Sequence, residues 1–290
     1  MNLDEFQDEE VTHVIVYGPP KSGKTALAAE LARYGYRLHW LDLENGRKTL
    51  RNPTILPPEF RKNIDIANIP DHQNYPIAIQ TVKQIFKDPT PKKICFAHGA
   101  IGCIHCSKDP NAQFTTVDLP KFTRRDVLVL DSLTQLGQSA INFAVKKELE
   151  KQGENYKFEW DDYRVQGYAL DNVCGKIQVA PLNVIVLSHE IDTEKDDKSP
   201  ERLAPVAGTR NHSKTVAKNF DEVVYTFIQN GAHKVANSTT FKPNVQTGGR
   251  TGVQLDKLPK PSLLPLFRPE AYDVLMAGKE FKIDWEKEGL

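Results

Sequence analysis

His13-Val-Ile-Val-Tyr-Gly-Pro-Pro-Lys-Ser-Gly-Lys-Thr25 is the stretch that decides the fold. It joins a short apolar run to Gly18-x4-Gly23-Lys24-Thr25, a match to G-x-x-x-x-G-K-[ST]. Average composition would produce that pattern by chance in a chain of this length about once in a hundred times. Its position is also the one the motif requires, directly after a strand signal and at the opening of a helical pattern. Gly18 and Gly23 let the backbone of Pro19, Pro20, Lys21 and Ser22 curl until its N–H groups face the β- and γ-phosphates of a nucleotide at a helix N-terminus. Lys24 then supplies a point charge to the phosphates, and the Thr25 hydroxyl can join a magnesium shell.

Working outward, three more apolar runs are each followed by a polar residue: Arg37-Leu-His-Trp-Leu41, Asp126-Val-Leu-Val-Leu130 and Asn183-Val-Ile-Val-Leu187. Helical patterns at Thr25–Tyr34, Thr134–Glu150 and Asp161–Val179 lie between the runs. Strands alternating with helices predict an α/β fold with a mainly parallel sheet covered on both faces. Val223–Ile228 and Lys234–Phe241 predict a hairpin that extends the sheet. The proline-rich stretch 53–121 breaks the alternation and is expected as an insertion within a core of residues 1–255, carrying one helix near Ile77–Phe86. Residues 256–290 are expected as an extended strap ending in a short helix near Pro269–Ala277.

Composition excludes other classes. Thirty-eight Lys and Arg balance 38 Asp and Glu, so a uniformly basic nucleic-acid coat is excluded, although a local basic strip is not. No apolar run approaches the roughly 18 residues of a spanning helix. The opening MNLDEFQDEE carries five acids and no base, unlike a targeting peptide. A cytoplasmic protein with no membrane partner is expected.

The acids after the strands narrow the chemistry. Asp131 closes an apolar strand, the form of a second magnesium-site motif, and would hold the ion through water. Ser132, not Glu, follows it, so a water-activating carboxylate must come from elsewhere. Glu44, in Leu41-Asp-Leu-Glu-Asn-Gly46, is the best source, because ligands gather at the carboxyl ends of parallel strands. Alternation puts the acids at 42 and 44 on one face. His189, in Leu187-Ser-His189, is placed to sense a γ-phosphate if its strand lies beside the one ending in Asp131.

Leu-Asp-Leu-Glu44, Val-Leu-Val-Leu-Asp131-Ser-Leu-Thr and Val-Leu-Ser-His189 follow the phosphate loop in the order used by RecA-type recombinases. Over most of residues 11–255, including Ala207-Gly208-Thr209 and Asn219–Tyr225, the chain most resembles the phage RecA-like single-strand annealing ATPases of the Sak type. The resemblance implies a RecA-like sheet and ATP bound between subunits of a ring or filament. It further implies single-stranded DNA in the central loops, annealing in phage recombination within the host cytoplasm, and a single-stranded DNA-binding protein as partner. It carries over Lys24, Thr25, Asp131, Glu44 and His189 as nucleotide ligands, magnesium ligand, base and sensor. The insertion at 53–121 departs from RecA, and the ten residues before the first strand leave no room for a separate DNA-binding domain. Annealing is therefore expected, not strand exchange. A helicase-like motor, and a nucleotide-dependent regulatory or assembly protein that never touches DNA, are the alternatives.

Between Arg202 and Asn219 the chain has Arg202, Arg210, Lys214 and Lys218 and no acid, which predicts a flexible basic loop for a phosphate backbone. Lys242 and Arg250 are candidates to act on a neighbouring subunit's ATP. Tyr156, Phe158, Trp160 and Tyr163 could stack on bases, but aromatics at the start of a helix are expected to pack mostly on the core. Cys95-x2-His98-x4-Cys103-x2-Cys106 has the spacing of two chelating pairs for a closed, structural zinc ion, with His105 an alternative ligand. Cys174, in an apolar helical pattern, is expected in the core.

Overall fold

Runs such as Val14-Ile-Val16 and Val127-Leu-Val129 carry no polar face, so a sheet made from them needs cover on both sides. A computed structural model describes residues 11–153, 156–193 and 202–290 and has that construction. The strands are β1 (His13–Gly18), β2 (Arg37–Asp42), β3 (Ile64–Asn68), β4 (Lys92–Cys95), β5 (Phe114–Val117), β6 (Asp126–Asp131), β7 (Asn183–Thr193), β8 (Arg202–Pro205), β9 (Glu222–Gln229), β10 (Ala232–Ala236) and β11 (Gly248–Gly249). The helices are α1 (Lys24–Ala29), α2 (Arg47–Leu50), α3 (Ala78–Ile85), α4 (Ile104–Ser107), α5 (Leu133–Gln152), α6 (Trp160–Gln178), α7 (Arg210–Thr215), α8 (Leu264–Phe267) and α9 (Ala271–Met276).

The main sheet runs β10-β9-β1-β7-β6-β2-β3. It is parallel from β9 to β3, and β10 is antiparallel to β9. β7 thus separates the strand that feeds the phosphate loop from the strand that ends in Asp131. Alternate residues of each strand enter opposite cores. Ile15, Tyr17, Leu128, Leu130, Val184 and Val186 pack under α3, α5 and α6, where Cys174 is buried. Val14, Val16, Val127, Val129, Ile185 and Leu187 pack under α1 and the C-terminal strap, through Leu258, Leu263, Leu266 and Trp285. The architecture is an α/β RecA-like fold, mainly parallel, with a small insertion that carries the Cys and His residues.

The structure revises several expectations. The stretch 53–121 is not wholly an appendage, because β3 from within it pairs with β2 and extends the sheet. Asp71 ties α3 down by accepting from the Ala78 amide at 2.7 Å and the Ser139 hydroxyl at 2.7 Å. Prolines on either side hid β3 in the sequence, whereas α3 (Ala78–Ile85) lies where the helix near Ile77–Phe86 was expected. Only β4, β5, α4 and the turns around them form a separate knob. The second strand of the late hairpin is 232–236, not Lys234–Phe241, because Asn230 (φ 52°) and Gly231 (φ 76°) make the turn. The expected basic loop is ordered as β8, α7 and a 3-10 turn, since the Thr209 side chain caps α7 by accepting from the His212 amide. Phe158, Trp160 and Tyr163 do not pack on the core: they are exposed, and Phe158 meets the Tyr156 ring edge-on and the Tyr163 ring at a tilt. Among the described residues no helix is long and apolar enough to cross a membrane.

Candidate functional site

Parallel register brings the predicted residues to one edge. Gly18 pairs with His189, Leu187 with Asp131, Asp131 with Asp42, and Asp42 with Asn68; Gly18, Asp131, Asp42 and Asn68 end their strands, while β7 runs on past His189 to Thr193. Beyond Gly18 the loop turns into α1 through Gly23, whose φ of 99° a side chain would strain. A cavity of about 400 Å³ opens there, lined by Lys24, Thr25, Glu44, Asp131, Ser132 and His189 among others.

Lys24 Nζ donates to the Gly18 and Pro19 carbonyls at 3.0 and 2.9 Å. Burial lowers its ammonium from the ordinary value, while the carboxylates of Glu44, Asp131 and Glu190 work the other way. The Thr25 hydroxyl donates to Asp131 Oδ2 at 3.5 Å. Asp131 is pushed up to about 7, first by burial and then by the charges of Glu44 and Asp42. A buried carboxyl raised by neighbouring carboxylates, with a hydroxyl beside it, is a hard oxygen set that a divalent cation such as Mg²⁺ relieves.

Glu44 accepts from the Ser132 hydroxyl and lies 3.4 Å from His189 Nε2. Burial acts to raise Glu44, but the His189 and Ser132 hydrogen bonds override it and hold the carboxylate below its ordinary value. His189 is fixed by its own amide, which donates to Thr134 Oγ1 at 2.9 Å. Asp42 does different work from the expected shared face. It accepts from the Gly46 and Arg47 amides at 2.7 and 3.4 Å and so closes the turn that presents Glu44. A Cβ at Gly46 would stand 2.4 Å from Asp131 Oδ2, so a side chain there would displace that carboxylate.

Sequence reasoning missed Ser132 as the hydroxyl on Glu44, and His233, whose Nδ1 lies 2.9 Å from the Ser22 carbonyl. The position of Ser132 next to Asp131 was the only local signal. For His233 there was none, since β10 reaches the loop only across the sheet.

The remaining candidates are scattered. Arg202 is on β8, Arg210 and Lys214 are on α7, and Lys218 is in the following turn. Lys242 Nζ sits 5.2 Å from the Phe241 ring centroid and 5.8 Å from that of Phe227. Arg250 pairs with Asp221 at 2.9 Å, at the amino end of β9 and away from the phosphate loop.

In the knob, the ligand atoms of Cys95, His98, Cys103 and Cys106 all lie within 4.8 Å of one another. His98 Nδ1 is 3.2 Å from Cys106 Sγ and 3.5 Å from Cys103 Sγ. A tetrahedral zinc ion with ordinary bond lengths sets nitrogen and sulfur ligands about 3.5 Å apart. The donors therefore fit zinc, with His98 and not His105 completing the group.

Known proteins supply the family. Among solved structures, the chain is similar to the RadB recombinase (15% identity, 80% of this chain and 83% of that one, TM-score 0.38). It is also similar to a prototypical ATPase from the type III secretion system of pathogenic bacteria (10% identity, 74% of this chain and 52% of that one, TM-score 0.40). No curated protein sequence matches the chain. The family model of the AAA domain matches residues 11–251, the stretch that holds the phosphate loop, Glu44, Asp131 and His189, and the chain belongs to that family of P-loop ATPases.

Proposed function

We propose that the chain is a magnesium-dependent ATPase of the RecA-like single-strand annealing (Sak) type, which binds single-stranded DNA as a homo-oligomer in phage recombination. One observation carries the hydrolytic part: Glu44, kept ionised by His189 and Ser132, faces the same cavity as Lys24, Thr25 and Asp131. The amides of Gly18 to Thr25 cradle the phosphates, and Lys24 turns from the loop carbonyls toward the β- and γ-phosphates. Thr25 directly, and Asp131 through water, would hold Mg²⁺, which when bound neutralises charge on the phosphates. Glu44 accepts a hydrogen bond from the attacking water and orients it in line, a task that suits a carboxylate of low basicity better than proton abstraction does. His189, bonded to Glu44, reports the γ-phosphate. The base enters a second cavity of about 370 Å³ that shares Gly23, Ala26, Ile55 and His233 with the first and adds Leu27 and Pro261 as apolar walls.

The segment bearing Arg202, Arg210, Lys214 and Lys218 follows the His189 strand in the chain and would supply counter-charge to DNA phosphates. Lys242 and Arg250 are the candidates to complete a neighbour's site, the latter by leaving Asp221. Zinc on Cys95, His98, Cys103 and Cys106 folds the knob and takes no part in the chemistry. A single-stranded DNA-binding protein is the expected further partner. ATP turnover measured with and without single-stranded DNA, together with gel mobility at low salt, tests the reading. DNA should raise the rate and retard the protein. If it does neither, annealing fails and a nucleotide-dependent assembly protein on the same ATPase takes its place.

A further inference from the structure

The knob touches the turn that carries Glu44. Phe96 lies between the ligands Cys95 and His98, so a metal bound by both holds Phe96 from either side. Its carbonyl accepts from Asn68 Nδ2 at 2.9 Å, and its ring lies 5.5 Å from the Arg47 guanidinium carbon. Arg47 Nη1 in turn donates to Asn68 Oδ1. Arg47 opens α2 three residues after Glu44, and its amide is one of the two that Asp42 binds to close the turn. The knob itself is bolted down. Thr81 Oγ1 donates to the Gly99 carbonyl at 2.7 Å, and a Cβ on Gly99 would meet the Ile69 backbone at 2.7 Å. Asp42 anchors one side of the turn, and Arg47, through Asn68 and Phe96, anchors the other.

We propose that Arg47 is a positioning residue that couples metal occupancy of the Cys95–Cys106 knob to the orientation of Glu44. The proposal rests on Glu44 being the water-orienting carboxylate. Loss of metal frees Phe96, the guanidinium loses its planar platform and its partner Asn68 shifts, and the Glu44 turn slackens while the phosphate loop keeps its shape. A lysine at position 47 keeps the charge but has no flat face to lay on the ring.

The test compares zinc-loaded wild type, Arg47→Ala and Arg47→Lys at equal metal content, with folding checked by far-ultraviolet circular dichroism. Arg47→Ala should lower kcat about tenfold, the usual scale for a group that orients others around a site. KM for ATP should stay within about twofold, because uniform binding is untouched, and Arg47→Lys should recover only part of the loss. Stripping zinc should lower kcat in wild type and add nothing in Arg47→Ala. The coupling is reciprocal, so zinc transfer to a chromogenic chelator should be faster from Arg47→Ala, and a non-hydrolysable ATP analogue should slow it in wild type alone. The proposal is overturned if the purified chain holds no zinc, if stripping lowers kcat equally in both proteins, or if zinc-transfer rates agree. If Glu44→Gln retains turnover, the Glu44 reading fails by itself, and the chelator rates still judge the link between Arg47 and the knob.

Discussion

Asp131→Asn should make the metal-free protein more stable, and increasingly so as pH rises. The Asp131 carboxyl is raised from its ordinary 3.8 to about 7 by burial, then by Glu44 and Asp42. Between those values the folded chain binds more protons at this site than the unfolded chain does, so stability falls as pH increases. The destabilisation is absent below the lower value and complete above the upper one. At 1.36 kcal/mol per pKa unit it reaches on the order of 4 kcal/mol, of which about 2 kcal/mol develops between pH 5.5 and pH 8.5. Asparagine carries no charge to bury, so its advantage over aspartate should widen by about that amount, or roughly 4–8 °C in Tm for a chain of this size. Thermal unfolding of both proteins in EDTA across that range measures it. Adding Mg²⁺ with nucleotide should then stabilise wild type and leave Asp131→Asn nearly unmoved. Parallel Tm profiles for the two proteins would refute the argument, because the carboxyl would then titrate alike folded and unfolded.

Four other outcomes follow from the geometry. Glu44→Gln should bind ATP as wild type does and lose about 10²-fold or more in kcat; near-normal turnover would move the water-orienting role elsewhere. His189→Ala removes the largest force holding Glu44 low, so the acid limb of the kcat profile should move to higher pH, and an unmoved limb would separate the two residues. The chain should carry one zinc ion by elemental analysis, and Cys103→Ser should lose it; well under one ion per chain in wild type counts against the knob as a metal site. Trp285, buried against Tyr36 and donating to the Tyr34 carbonyl at 2.9 Å, ties the strap to the second core. Its replacement by alanine should cost about 3–5 kcal/mol in denaturant unfolding, and a loss below about 1 kcal/mol would show the strap to be dispensable.

The features legible in the sequence are those fixed by neighbours along the chain. Gly18 to Thr25 announced itself because a phosphate cradle needs glycines, a lysine and a hydroxyl at set spacing, and all lie within eight residues. Asp131 and His189 were readable as candidates because each closes or follows an apolar run, and the Cys95, His98, Cys103 and Cys106 cluster because chelation demands short loops. β3 was not readable. Its five residues sit between prolines, and only pairing with β2 makes them a strand. The basic segment after Arg202 was read as a loop because the cap from Thr209 and the packing beneath α7 leave no periodic signal.

By itself, then, the sequence determined the α/β class and the phosphate loop and named candidate side chains for the chemistry, since these follow from local periodicity and from donor types at fixed spacing. Tertiary structure alone decided what those side chains do to one another. Ser132 and His189 reach Glu44 from positions 88 and 145 residues away in the chain, and their hydrogen bonds outweigh the burial that acts to raise it. Asp131 is raised first by its burial in the sheet and then by Glu44 and Asp42, which β2 and the turn after it bring beside β6. Hydrogen bonds and charge interactions fall off within a few ångströms, so their sign and size at a residue depend on which strands become neighbours, and strand order is not written in any local stretch.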